Sequence, residues 1–353
     1  MSFIGKKELV EKNDTVILFL SVNTIYALEV VDKIPNKHGN MVENKFQTIY
    51  GVLTVMDLVG KRYGSRITLP KGWCYLLHPT CELWTKTVNH RTQIIYTPDI
   101  SLIIFGLDLK PGCKVIEAGT GTGSLSHSLI RTVFPTGHLF TFDFHQIRAD
   151  LAREEFQKHG LSEWVTVGHR DVITDGFDVD VLVDAVFLDL PCPWEVVPHV
   201  RRSLRRCGKI CTFSPCIEQV QKTCEALKGT KAFENIRTQE VLQRPLSVQL
   251  RTLISFDLTP QTEDVCTVED VVEDSMEGED EAKIGTKRKL QEKKPHNLKP
   301  VKRDQCRFRS IIPPATMPGH TGYLTFATMI VPPASDSSIK VDQVEHEQDA
   351  LAS

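Results

Sequence analysis

Three glycines spaced two residues apart, directly behind a buried strand, constrain this chain more than any other feature. From Lys110 to Asp143 it reads KPGCKVIEAGTGTGSLSHSLIRTVFPTGHLFTFD. Cys113 to Ala118 is a short apolar run preceded by Pro111 and Gly112, the signature of a buried strand. Glu117, Gly119, Gly121 and Gly123 then form ExGxGxG, with Thr120, Thr122 and Ser124 between and after them. From Ser124 to Phe134 the apolar residues Leu125, Leu129, Ile130 and Val133 return at helical spacing. Glycine is needed where a backbone turns sharply off a strand and approaches a ligand with no Cβ in the way. Strand, loop and helix N-terminus together predict a nucleotide cradle. His138 to Phe142 make a second strand that ends on Asp143, an acid about 20 residues past the glycines and placed to accept from ribose hydroxyls.

Dinucleotide-binding dehydrogenases use a related loop, but theirs is GxGxxG, whereas this one is GxGxG with Glu117 just ahead of it. An acid at that point disfavours a pyrophosphate and suits a cation. S-adenosyl-L-methionine carries a sulfonium and an ammonium, so a methyltransferase is expected ahead of a dehydrogenase.

The 353 residues allow two compact domains. No run approaches a membrane-spanning length, and MSFIGKKELV lacks the apolar core of a signal peptide, so an intracellular location is expected. Ten cysteines occur without CxxC pairs, which argues against a zinc site and a disulfide framework, so no metal is expected. The net charge of -3 averages an acidic block, Glu263 to Glu281, with a basic one, Lys283 to Arg309. The basic block contains KRKLQEKKPHNLKPVKR, the spaced clusters of a nuclear localisation signal; a nonspecific RNA-binding tail is the other reading.

In chain order, Thr15 to about Pro79 carries short β-type runs (VILFLSV, TIYALEVV, KFQTIYGVLTV, SRITL, WCYLLH) separated by turn residues, predicting a small sheet or barrel. There Arg62, Arg66 and Lys71 read either as phosphate contacts or as a solvated face. His78 to Asp99 reads either as a linker packed on the core or as a lid over the methyl donor. It carries Arg91, Gln93 and Tyr96 before a helix expected to be capped by Thr97 with Pro98 at its first position. After Asp143 comes an amphipathic helix, Gln146 to Lys158, with Arg148 near its start. Trp164 to Val167 is a third strand followed by Arg170 and Asp171, and Asp171 reads as an adenine contact or a helix cap. Val181 to Leu190 is a buried fourth strand ending in Asp189 and PCPW. A carboxylate before a rigid turn at that edge is the strongest catalytic candidate, capping of the helix from Pro193 being the structural alternative. Later strands are expected at Lys209 to Ser214, Phe233 to Gln243 and Gly322 to Val331.

EAGTGTGS, TGHLFTFDFHQIRADLAREEF, DAVFLDLPCPW, FSPCIEQVQ and GHTGYLTFAT together resemble the catalytic subunit family of the eukaryotic tRNA (adenine-58-N1)-methyltransferases. The likeness covers about residues 1 to 255 and 309 to 331. It implies an α/β class I methyltransferase fold, a Rossmann-like seven-stranded sheet, with a small N-terminal β domain. The expected division is 1–80 for the β domain, with RNA or partner contacts, and 81–255 plus 309–335 for the methyltransferase domain; outside the likeness, charged composition with few aromatics predicts a disordered acidic and basic insert at 256–308, and a flexible tail is expected at 336–353. The resemblance also implies S-adenosyl-L-methionine held by Ile95, Glu117, Gly119, Thr120, Gly121, Thr122, Gly123, Ser124, Asp143, Arg148, Asp171, Val172 and Asp189. The family commonly has Glu where this chain has Asp143; the shorter acid still reaches a ribose. Substrate tRNA is implied at Gln93, Tyr96, Thr97, Ser214, Pro215, Thr321, Gly322 and Tyr323. A noncatalytic homologous subunit is implied as partner, two of each forming a heterotetramer. A noncatalytic RNA-binding homologue and an enzyme acting on T-loop-like messenger RNA are the competing readings; the intact glycine loop and Asp189 favour a catalytic chain.

Overall fold

The computed structural model describes residues 3, 5–89, 91–254, 305–315 and 322–330. The acidic block, Lys287 to Arg303, the segment 336–353 and Thr321 lie outside them.

The strand predicted ahead of the glycines forms as Lys114–Ala118, the centre of a seven-stranded sheet. Its neighbours run in the order Val165–His169, His138–Asp143, Lys114–Ala118, Val183–Leu188, Leu204–Ser214, Tyr323–Met329 and Phe233–Glu240. The first five are parallel, and Tyr323–Met329 is antiparallel to both of its neighbours. Because the central strands are covered on both faces, they read as apolar runs rather than alternations. Val115, Ala185 and Phe187 join one apolar cluster while Ile116, Val186 and Leu188 join the other. The register sets Glu117 beside Thr141 on one side and Phe187 on the other, so the carboxyl ends of three strands open at one edge.

Helices α1 (Cys81–Thr87), α2 (Thr97–Gly106), α3 (Ser124–Val133), α4 (Gln146–Lys158), α5 (Pro193–Ser203) and α6 (Ile217–Gly229) flank this sheet in sequence. Tyr96, not Thr97, is the N-cap of α2, and Pro98 follows one residue inside the helix. Proline needs no amide partner anywhere in the first turn, so it does not mark the cap uniquely. Among the described residues no helix is long and apolar enough to cross a membrane.

The N-terminal region forms a four-stranded antiparallel sheet, ordered Thr24–Glu29, Thr15–Ser21, Gly72–Leu77 and Arg66–Leu69, over its own apolar core. The run KFQTIYGVLTV does not make one strand. It folds into the hairpin Lys45–Thr48 and Gly51–Thr54, with Gly51 at φ +120° where the chain reverses.

Residues Arg244–Met317 cluster as a separate compact unit. In it Ser247–Ile254 pairs antiparallel with Gln305–Ile312, Ser247 opposite Ile312. The boundary drawn at 308 and 309 therefore falls inside a strand, and these residues do not belong to the large sheet. Arg307 and Arg309 extend the basic composition into QCRFRSII, whose period-two pattern is β-type.

Candidate active site

The open edge of the sheet holds a cavity of about 480 Å³, within the range of small-molecule sites. All thirteen residues expected to hold the donor line it, as does Gln93. Tyr96, Thr97, Ser214, Pro215, Gly322 and Tyr323 do not. Tyr96 is half-exposed at the start of α2. Ser214 stands opposite Tyr323 at the same sheet edge as Asp189, since Leu188 pairs with Thr212 two residues earlier. The Ser214 hydroxyl is buried without a hydrogen-bond partner. Gly322 packs so closely on Phe213 that a Cβ would lie 2.5 Å from its ring.

The glycine loop is shaped by close approaches. Gly119 has φ +101°, and a Cβ there would sit 2.4 Å from the Asp189 carbonyl oxygen. Gly121, at φ +53°, leaves the same kind of gap for Thr92 Oγ1, 2.7 Å from a Cβ position. Only glycine meets both demands. Asp143 does more than end its strand. Its Oδ2 accepts from the Gly121 N–H at 3.0 Å and its Oδ1 from the His145 N–H at 2.9 Å. Each oxygen keeps lone-pair capacity for a hydroxyl after ordering the loop.

Glu117 is 1% exposed. Its Oε2 accepts from Ser126 Oγ at 2.6 Å and Thr141 Oγ1 at 2.7 Å. Burial pushes its carboxyl up to about 7 against the pull of those hydrogen bonds, and Asp189 and Asp143 add to the rise. A cation entering the cavity would reverse that balance. Asp189 is placed by its own N–H, which donates to Ala118 O at 2.9 Å. Its carboxylate accepts no hydrogen bond from any described side chain or backbone group, and burial raises it to about 6. Helix α5 has Cys192 as its N-cap, so Asp189 is not a helix cap. Asp171 does not cap a helix, because among the described residues none lies between Val165–His169 and Val183–Leu188. It lines the cavity, yet its Oδ1 accepts from the Ile173 N–H at 3.0 Å and its Oδ2 from Thr174 Oγ1 at 2.9 Å, closing a turn.

The segment 91–95 is fastened to the loop. Thr122 Oγ1 accepts from the backbone N–H groups of Arg91 and Thr92, both at 3.2 Å, and Ser124 Oγ donates to Ile95 O at 3.0 Å. Of the linker and lid readings, this geometry makes a strap that forms one wall of the cavity. The sequence did not single out Phe144, Phe187, Ile94, Leu190 or Pro191 as lining residues. For Phe144 a signal existed: an aromatic directly after Asp143, 62% exposed, is a flat apolar surface at a strand end. Phe187 is interior to its strand and reaches the cavity only through pairing with Glu117.

Residues 72–329 match the family described as tRNA methyltransferase complex GCD14 subunit. A relative from Dictyostelium discoideum, named tRNA (adenine(58)-N(1))-methyltransferase catalytic subunit, is 36% identical over 92% of this chain and 98% of its own. Its namesake from Schizosaccharomyces pombe is 36% identical over 93% and 96%. Among solved structures, an S-adenosylmethionine-dependent O-methyltransferase from Thermotoga maritima superposes with a TM-score of 0.66 at 24% identity, covering 93% of this chain and 97% of that one. A tRNA (m1A58) methyltransferase from Aquifex aeolicus gives 0.61 at 20% identity, covering 92% and 99%. These two establish the class I methyltransferase fold, while family and relatives establish more: the chain belongs to the tRNA (adenine(58)-N(1))-methyltransferase catalytic subunits.

Proposed function

We propose that this chain methylates N1 of adenine 58 in the T-loop of tRNA, with S-adenosyl-L-methionine held in the 480 Å³ cavity. The observation that carries the reading is the pairing of a glycine cradle and buried Glu117 with the bare carboxylate of Asp189. The residues present suit the donor. Glu117 faces a cation, Asp143 a ribose, and the turn of Asp171 and Val172 with Phe144 an adenine. When bound, S-adenosyl-L-methionine supplies an electrophilic methyl group.

The remaining chemistry belongs to the protein. N1 of adenine is hidden in paired or stacked RNA, so the base must be extruded to reach the cavity. Tyr96, half-exposed at the helix start, offers a ring to border it. Ser214, Pro215, Gly322 and Tyr323 lie at the neighbouring sheet edge, where Ser214 pairs with Tyr323 and the incoming nucleotide would pass. Thr321, also expected there, is outside the described residues. As N1 is alkylated, positive charge spreads to the exocyclic amine. Asp189 accepts a hydrogen bond from that amine and stabilises the charge, its carboxylate being ionised above about pH 6. Because desolvation has already been met in folding, that interaction is stronger than it would be in water.

The names of the relatives, catalytic subunits of a complex, support a partner subunit; we take that partner to be a noncatalytic homologue, two of each, supplying much of the grip on tRNA. The basic clusters from Lys287 to Arg303 support a nuclear location. The test is transfer of labelled methyl from S-adenosyl-L-methionine to unmodified tRNA, with and without the partner, followed by mapping of the base. Label at N1 of adenine 58 is expected. Label confined to another base or to messenger RNA, or none despite donor binding, would overturn the assignment.

A further inference from the structure

Two histidines that take no part in the chemistry above are buried behind the cradle. His127, on α3, is 1% exposed, and His159, the C-cap of α4, is 3% exposed. Neither lines the 480 Å³ cavity. His127 Nδ1 lies 2.6 Å from Gly123 O, and its Nε2 lies 2.8 Å from His159 Nδ1. Burial pulls His127 down to about 4 and His159 further, so both are neutral near pH 7. A carbonyl can only accept, so Nδ1 of His127 carries its proton. Its Nε2 is then an acceptor, and His159 Nδ1–H is the donor. The rings of Phe3 and Trp84 pack around the pair.

A parallel arm ends one residue earlier. Arg91 donates from one guanidinium nitrogen to Thr122 O at 3.2 Å and meets Glu155 of α4 with another at 3.0 Å. Two consecutive carbonyls of the loop, Thr122 and Gly123, are thus held from α4. Gly123, the N-cap of α3, sits at φ +78°, and its carbonyl accepts the His127 backbone N–H at 3.2 Å as well as the ring N–H. Because the peptide unit is planar, fixing the Gly123 carbonyl also fixes the direction of the Ser124 N–H at the cavity.

We propose that His127 and Arg91 are positioning residues for the donor loop, transmitting the fixed geometry of α4 through His159 and Glu155 to the Thr122 and Gly123 carbonyls without touching the ligand. This rests on the cavity being the S-adenosyl-L-methionine site. The complex of full-length chain and partner should be prepared as wild type, His127→Phe, His127→Asn, Arg91→Lys and Arg91→Met. Calorimetric Kd for S-adenosyl-L-methionine, donor-free Tm, and separate KM and kcat would be measured. Loss of one buried hydrogen bond predicts about a tenfold weaker donor Kd for His127→Phe. Asn presents an amide N–H near the Nδ1 position and should recover to within about threefold of wild type. Arg91→Met should weaken donor binding by a similar factor, with KM for tRNA and kcat at saturating donor little changed. Should His127→Phe not fold, the Arg91 pair carries the test.

Lowered Tm with donor Kd unchanged would overturn the proposal, as would equal affinity loss in His127→Asn and His127→Phe. Because His127, Glu155 and His159 have ligand atoms close enough to share an ion, stoichiometric zinc whose removal alters Kd would also overturn it. A wild-type complex that binds no donor would defeat the functional reading and this one with it. Wild-type binding with unaltered variants would defeat this one alone.

Discussion

The two acids of the cavity are built in opposite ways. Glu117, in the middle of the sheet, has both Ser126 and Thr141 donating to one oxygen, and its strand is paired on both sides. Asp189, one strand over, has its backbone fixed by Ala118 and its carboxylate bare. Both are raised by burial, to about 7 and about 6. A site that binds a constant donor benefits from a group whose orientation is settled before the ligand arrives. A site that responds to developing charge benefits from a group whose only strong partner forms in the transition state. On the proposed function, the first acid serves affinity and the second turnover.

The sharpest way to break that division is Asp189→Ala. The expected loss in kcat is about 10²- to 10⁴-fold, with donor Kd shifted by less than about threefold; near-normal turnover would remove Asp189 from the chemistry. Glu117→Gln reverses the pattern. It should weaken donor binding about 10- to 100-fold, the cost of one charge-assisted contact, while kcat at saturating donor stays within several-fold. Equal effects on both parameters would mean the two acids act as one unit.

The same acid also governs pH dependence. Glu117 is raised from 4.5 to about 7 in the folded chain, so the folded state holds more protons between those values. Its contribution is therefore present below about pH 4.5 and is lost as pH rises through 7. Glu117→Gln removes the loss, so its Tm relative to wild type should climb between pH 5 and pH 8, by the equivalent of about 1 to 3 kcal/mol. A constant Tm difference across that range would show that the acid is not buried as described. His127 has the opposite sign: lowered from 6.5 to about 4, it costs stability as pH falls through that window.

Much of the site is legible because its signals are local. Gly119, Gly121 and Gly123 answer to steric demands within one turn, and Asp143 and Asp189 each end an apolar run whose length marks a buried strand. The helix start at Tyr96 was less legible, because proline is accepted at more than one position of a first turn. The hairpin of Ser247–Ile254 with Gln305–Ile312 escaped because its two strands are separated by the charged blocks and composition dominates short windows there.

Strand, loop and helix of the cradle, the acids at the strand ends and the family can all be read without coordinates, since each is written in spacing along the chain. It takes the folded chain to place Phe187 beside Glu117, Thr92 in the space left by Gly121, and His127 against His159. Those neighbours are far apart in the chain and are brought together by parallel strand register and by α4 packing behind the loop. No local pattern encodes a contact whose partner is chosen by the fold.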